Sequence, residues 1–148
     1  MSGARPTGPG CAVDELRLPP GLAGLGPLAG FVAKLADAAG LGEALAYRLR
    51  LAADELVTNA VCHGRAQRPI QVCGGIDGDR VWLRIRDEGR RFDPRAHVGR
   101  PLAPAASGTR DGDPVGGFGI FLAMRSVDEF DYKYIDGANQ CTLTVYRD

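Results

Sequence analysis

Residues 44–64 read ALAYRLRLAADELVTNAVCHG. Leu45, Leu49, Leu56 and Ala60 recur there at helical spacing, and Gly64 with the polar RAQRP stretch ends the pattern, which predicts a long amphipathic helix. With Glu55 at zero and about 100° per residue, the four apolar residues span about 80° to 140° and Asn59 falls near 40°. Glu55 and Asn59 therefore flank the buried stripe. A carboxylate and an amide one turn apart at the rim of a core suit a cleft, the acid as a base and the amide oxygen as a magnesium ligand. The same spacing also suits an ordinary pair on a solvated helix face. His63, at about 80°, reads as a packed core histidine rather than a ligand.

Working outward towards the N-terminus, Leu28, Phe31, Val32 and Leu35 predict a first helix that starts near Pro27 and stops at Gly40. Val13, Leu16 and Leu18 predict a short strand ended by Pro19 and Pro20, and residues 1–10, rich in Gly and Pro, read as a tail. Towards the C-terminus, Ile70–Gly75 and Val81–Asp87 form the clearest hairpin, joined through Asp77-Gly78-Asp79, with Val81, Leu83 and Ile85 alternating against Trp82, Arg84 and Arg86. Residues 92–115 carry Pro94, Pro101, Pro104 and Pro114 and no apolar periodicity, the composition of a lid. Ile120–Val127 reads as a short helix. Two strands follow, one through Phe130, Tyr132 and Tyr134 and one through Leu143 and Val145, turned by Asp136-Gly137-Ala138-Asn139. The order βααββ, lid, αββ predicts a two-layer α/β sandwich: a mixed, mostly antiparallel sheet with helices on one face, forming one domain over residues 11–148.

Composition bounds the function. A chain of 148 residues, 45% hydrophobic and 24% charged, is one globular domain's worth. Lys and Arg total 18 against 18 Asp and Glu, which removes the charge excess of a protein that grips nucleic acid by its phosphates. No apolar run approaches the roughly 18 residues of a membrane span, and the first ten residues lack the apolar core of a secretion signal, so neither a membrane nor export is expected and the expected location is the cytoplasm. Cys11, Cys62, Cys73 and Cys141 form no C-x-x-C pair, which argues against zinc and for reduced, mostly buried thiols.

Two further motifs join the Glu55/Asn59 pair. Asp87-Glu88-Gly89 stands where a strand ends; its carboxylate could accept a hydrogen bond from an exocyclic amine while the bare glycine backbone admits a flat ring, or it could be an ordinary turn. Gly116-Gly117-Phe118-Gly119-Ile120 runs into an apolar helix, where free amides favour a phosphate, although many such glycines only end loops. In order, the parts supply a base, a metal ligand, an amine acceptor, a lid and a phosphate cradle for one nucleotide.

ELVTNAVCHG, RIRDEGRRFDP and GGFGIFLAM resemble the N, G1 and G2 boxes of the GHKL (Bergerat-fold) ATPases, most closely those of the small anti-sigma-factor serine kinases, and the resemblance runs from about Leu16 to Val145. It implies roles for single residues. Glu55 would take the proton from the incoming hydroxyl, and Asn59 would hold the magnesium that bridges the phosphates of ATP. Asp87 would bind the adenine amino group above Gly89, Gly117 and Gly119 would line the phosphates, and Thr142 would add a water-mediated contact to adenine. It also implies two partners, a sigma factor and an anti-anti-sigma (STAS) protein phosphorylated on serine, together with homodimerisation. One position departs from the family: the G1 box usually reads D-x-G-x-G, and here the second glycine is Arg91. If that site needs φ > 0, a side chain there costs about 1 kcal/mol or more, so either the loop runs differently or nucleotide binding weakens. The second function class is therefore a catalytically weak or inactive module that binds a partner under nucleotide control.

Overall fold

In a computed structural model, which describes residues 14–62, 67–97 and 124–147, the first strand, β1 (Asp14–Leu18), stops at the Pro19-Pro20 pair as its sequence predicts. Helix α1 (Leu25–Ala39) ends in a Schellman turn. Gly40 sits at φ 70°, its N–H donates to the Asp37 carbonyl, and the Leu41 N–H donates to the Ala36 carbonyl at 2.9 Å. Helix α2 (Glu43–Cys62) follows after a three-residue connection, and its buried side is the predicted stripe of Leu49, Leu56 and Ala60, widened by Ala52, Ala53, Val57 and Asn59.

The hairpin is present as β2 (Ile70–Asp77) and β3 (Arg80–Asp87), joined at Gly78, whose φ of 65° gives glycine a reason to be there. The last strands are β4 (Glu129–Ile135) and β5 (Ala138–Tyr146). They are joined by Asp136 and Gly137 alone, both at positive φ (54° and 74°), the signature of a two-residue type I′ turn. The four-residue turn expected at residues 136–139 is thus shorter, and Ala138 and Asn139 belong to β5. Of the short helix expected at Ile120–Val127, residues 124–126 are helical and residues 120–123 lie outside the described residues.

The sheet order is β1-β2-β3-β5-β4. Every pairing among these strands is antiparallel, so the mixed sheet expected from the sequence is a purely antiparallel one among the described residues. Register puts Val72, Ile85 and Cys141 in one row and Leu83 with Leu143 in the next. These residues join Leu28, Val32, Leu35, Leu49, Leu56 and Val57 of the helices in a single core. The opposite sheet face is not wholly polar: Trp82, expected among the outward residues, is 1% exposed beside Arg84, whose guanidinium carbon lies 5.1 Å from the ring centroid.

Two readings from composition need correction. Residues 22–39 are long and apolar enough, by length and composition, to cross a membrane, although Leu28, Phe31, Val32 and Leu35 in that stretch pack into the core. Of the three described cysteines only Cys141 is buried; Cys73 is half-exposed and Cys62 exposed, and all three are free thiols.

Candidate functional site

Three elements meet at one end of the sandwich. The last residue of β3 supplies Asp87, the start of β5 supplies Asn139 and Cys141, and the C-terminal half of α2 supplies Leu56, Asn59 and Ala60. Phe92 and Pro94, in the segment after β3, line the same cleft, whose volume is about 20 Å³, room for about one water.

Asp87 is 7% exposed and opposite Asn139 in the β3/β5 register. Its Oδ1 accepts from the Gly89 N–H at 2.9 Å and from Asn139 Nδ2 at 3.1 Å. Among the described residues its Oδ2 takes no hydrogen bond. Burial pushes the Asp87 carboxyl above its ordinary range, and the Gly89 and Asn139 donors pull against that rise. The D-x-G motif therefore forms a local turn as well as a potential acceptor, its glycine N–H fixing the carboxylate two residues back.

Asn59 is 5% exposed, and its buried Nδ2 has no hydrogen-bond partner among the described residues. An unpaired buried amide costs on the order of 1–3 kcal/mol, which is consistent with a group kept for a ligand. Glu55, one turn earlier on α2, is half-buried and does not line this cleft. Burial, with the neighbouring Asp54 carboxylate second, holds its pKa above the usual glutamate value. Asp54 shows the same direction, with burial outweighing Arg50, whose Nε lies 3.5 Å from Oδ2.

The sequence-predicted residues are thus only partly assembled by the described structure. Asn59 and Asp87 share the cleft and Gly89 adjoins it. Thr142 does not: in β5 it lies one residue out of phase with Asn139 and Cys141, on the opposite sheet face, where its hydroxyl accepts from Arg84 Nε at 3.4 Å. Placing it at the adenine is corrected by the strict two-residue alternation of a strand. Gly117, Gly119, His63 and most of the expected lid lie outside the described residues; residues 92–97 of that lid include a single 3₁₀ turn, Pro94–His97.

Arg91 proves unstrained. Asp136 is the one non-glycine with positive φ among the described residues, so Arg91 has an ordinary backbone, and its guanidinium carbon lies 5.3 Å from the centroid of the Tyr134 ring. The loop runs differently from one that needs a second glycine.

Sequence reading missed Asn139 and Cys141. Counting two residues rather than four in the Asp136-Gly137 turn would have found both, because that count makes Asn139 the cross-strand neighbour of Asp87.

A two-layer sandwich whose long helix and two central strands bring an amide and a carboxylate into one cleft is the plan of a GHKL-type ATP-binding domain. The family model described as "Histidine kinase-like ATPase domain" matches residues 18–145, and the chain belongs to that family. Among solved structures it is similar to the RsbU and RsbW domains of Rv1364c from Mycobacterium tuberculosis, with a TM-score of 0.62 and 19% identity over 90% of this chain. The chain spans 32% of the length of that structure. Identity at this level shows the shared fold. No curated protein matches the chain by sequence.

Proposed function

We propose that this domain binds magnesium ATP and acts as an anti-sigma factor with protein serine kinase activity, phosphorylating a STAS-type partner in the cytoplasm. One observation carries the nucleotide reading: Asp87, fixed through Oδ1 with Oδ2 free among the described residues, shares a cleft with Asn59, whose buried Nδ2 donor has no partner among the described residues and suits a phosphate oxygen. That arrangement suits an adenine amino group at Asp87 and a metal–phosphate group at Asn59.

The donor set fits magnesium rather than a self-sufficient metal cage. Among the described residues no three His, Cys, Asp or Glu side chains converge, and magnesium commonly combines one or two protein oxygens with substrate phosphates and water. Asn59 would hold it through the amide oxygen. When bound, the ion would supply charge neutralisation at the phosphates.

Glu55 is the proposed base. Its raised pKa makes the ionised carboxylate a stronger proton acceptor than an ordinary glutamate. It takes the proton of the serine hydroxyl as the hydroxyl oxygen forms a bond to the γ-phosphorus; the bond from that phosphorus to the β,γ-bridging oxygen breaks, and ADP leaves with the electron pair.

The experiment is incubation with magnesium ATP and a STAS protein, followed by mass spectrometry for phosphoserine. Transfer by the wild type, lost in Glu55→Ala, supports the kinase. Transfer at full rate by Glu55→Ala overturns the base assignment. The small volume of the cleft, about 20 Å³ among the described residues, favours a second reading, a partner-binding module gated by nucleotide; stable partner binding with no phosphoserine is its signature.

A further inference from the structure

Asn139 is 3% exposed and uses its whole hydrogen-bonding capacity inside the protein. Nδ2 donates to Asp87 Oδ1 at 3.1 Å and to the Arg90 carbonyl at 2.8 Å. Oδ1 accepts from the Phe92 N–H at 2.9 Å and from the Tyr132 hydroxyl at 2.6 Å. The network assigns the amide's orientation, because a flipped amide would set its oxygen against a carboxylate and a carbonyl. With four bonds made, this side chain has nothing left to offer a ligand.

We propose that Asn139 is the positioning residue for base recognition, holding Asp87 so that Oδ2 faces the base while clamping the Arg90–Phe92 loop from both sides of Arg91. The proposal rests on the adenine-site reading above. Asp87 Oδ1 receives two donors, Gly89 N–H and Asn139 Nδ2, which stops the carboxylate from turning about its terminal bond. The remaining oxygen accepts the exocyclic amine of adenine and repels the carbonyl that guanine presents at the same place. Behind Asp87, the Arg90 carbonyl and the Phe92 N–H are bound as a neighbouring strand would bind them. The loop is therefore held by a side chain, with Arg91 turned outward onto Tyr134. Tyr132, bonded to the same amide, extends the link to β4.

The test compares wild type, Asn139→Leu and Asn139→Asp by titration with ATP and with GTP, and by hydrogen exchange at the Phe92 amide in nucleotide-free protein. In Asn139→Leu the preference for ATP over GTP is expected to fall about tenfold or more, and the Phe92 amide to exchange faster. Asn139→Asp keeps the shape and the accepting oxygen but sets a second carboxyl against Asp87 Oδ1, so it is read above the pH at which the two share a proton; there it should lose the preference while Phe92 stays protected, which keeps a test in hand if the leucine variant fails to fold. Equal losses of ATP and GTP affinity, as from a purely structural role, or an unchanged preference, overturn the positioning of Asp87. Unchanged Phe92 exchange in Asn139→Leu overturns the clamp. A wild type that binds ATP and GTP alike contradicts the adenine-site reading itself and the base-positioning claim with it, and the exchange measurement still decides the clamp.

Discussion

Asp87, Glu55 and Arg91 each put a different physical effect at one position. Replacing Asp87 by Asn substitutes a neutral group where a fixed carboxylate faces the cleft, and ATP affinity should fall about tenfold or more by calorimetry, the scale of a lost charge-assisted hydrogen bond. Glu55 has its pKa raised by burial, so the folded state holds its proton more tightly than the unfolded chain does. Its contribution to stability is present below the ordinary value of 4.5 and is lost as pH rises through the folded-state pKa. Glu55→Gln, which cannot ionise, should match the wild type in acid and become the more stable of the two near neutrality, as read by urea denaturation at both pH values. Arg91 has negative φ, so Arg91→Gly should cost about 0.5–1 kcal/mol through the freer unfolded chain. A stabilising Arg91→Gly would mean the position does call for a left-handed residue.

At the scale of elements, two glycines make opposite demands. Gly74 lies where α1 packs on β2: an added Cβ would meet Leu35 Cδ2 at 2.9 Å and the Trp82 carbonyl oxygen at 3.1 Å, so Gly74→Ala should destabilise by about 1–3 kcal/mol through overpacking. Gly137 has open space around it and φ of 74°, so Gly137→Ala should cost roughly 1–2 kcal/mol from backbone strain alone. In a double-mutant cycle Gly74→Ala should cost less in a Leu35→Ala background than in the wild type, and Gly137→Ala the same in both, as thermal melts would show. The elements themselves were legible because each has a local cause: a stripe at helical spacing for α2, Gly40 for the end of α1, strict alternation in β3. Asn139 was hidden for a related reason. Asn and Gly near one another suggest turn, and a strand starting two residues sooner moves an amide from a loop to the position facing Asp87. Thr142, expected from the resemblance alone, lies a single step along β5 from Cys141, and that step changes sheet face.

Across the whole molecule, the chain's last described residue closes the end of the sandwich away from Asp87. Arg147 donates from Nε to the Gly78 carbonyl at 2.9 Å and from Nη1 to the Ala39 carbonyl at 3.0 Å, joining the β2/β3 turn to the C-terminus of α1, where a cation also meets the negative end of the helix. Arg147→Ala should lose about 1–3 kcal/mol of stability and leave ATP affinity unchanged, a separation that tests whether the two ends act independently. Box order along the chain made the nucleotide site legible at this scale. The convergence of Phe92 and Pro94 with Asn59 and Asp87 on one cleft was not legible, because it depends on which residues of separate elements come together.

On the proposed reading, Asn59 and Asp87 serve one magnesium–adenine nucleotide. Calorimetric titration of ATP and ADP, with and without magnesium, on the wild type, Asn59→Ala and Asp87→Asn tests it most directly. Wild-type binding is expected to be saturable, to weaken in Asp87→Asn and to lose its magnesium dependence in Asn59→Ala. No wild-type binding at millimolar ATP, or magnesium dependence that survives Asn59→Ala, would contradict it.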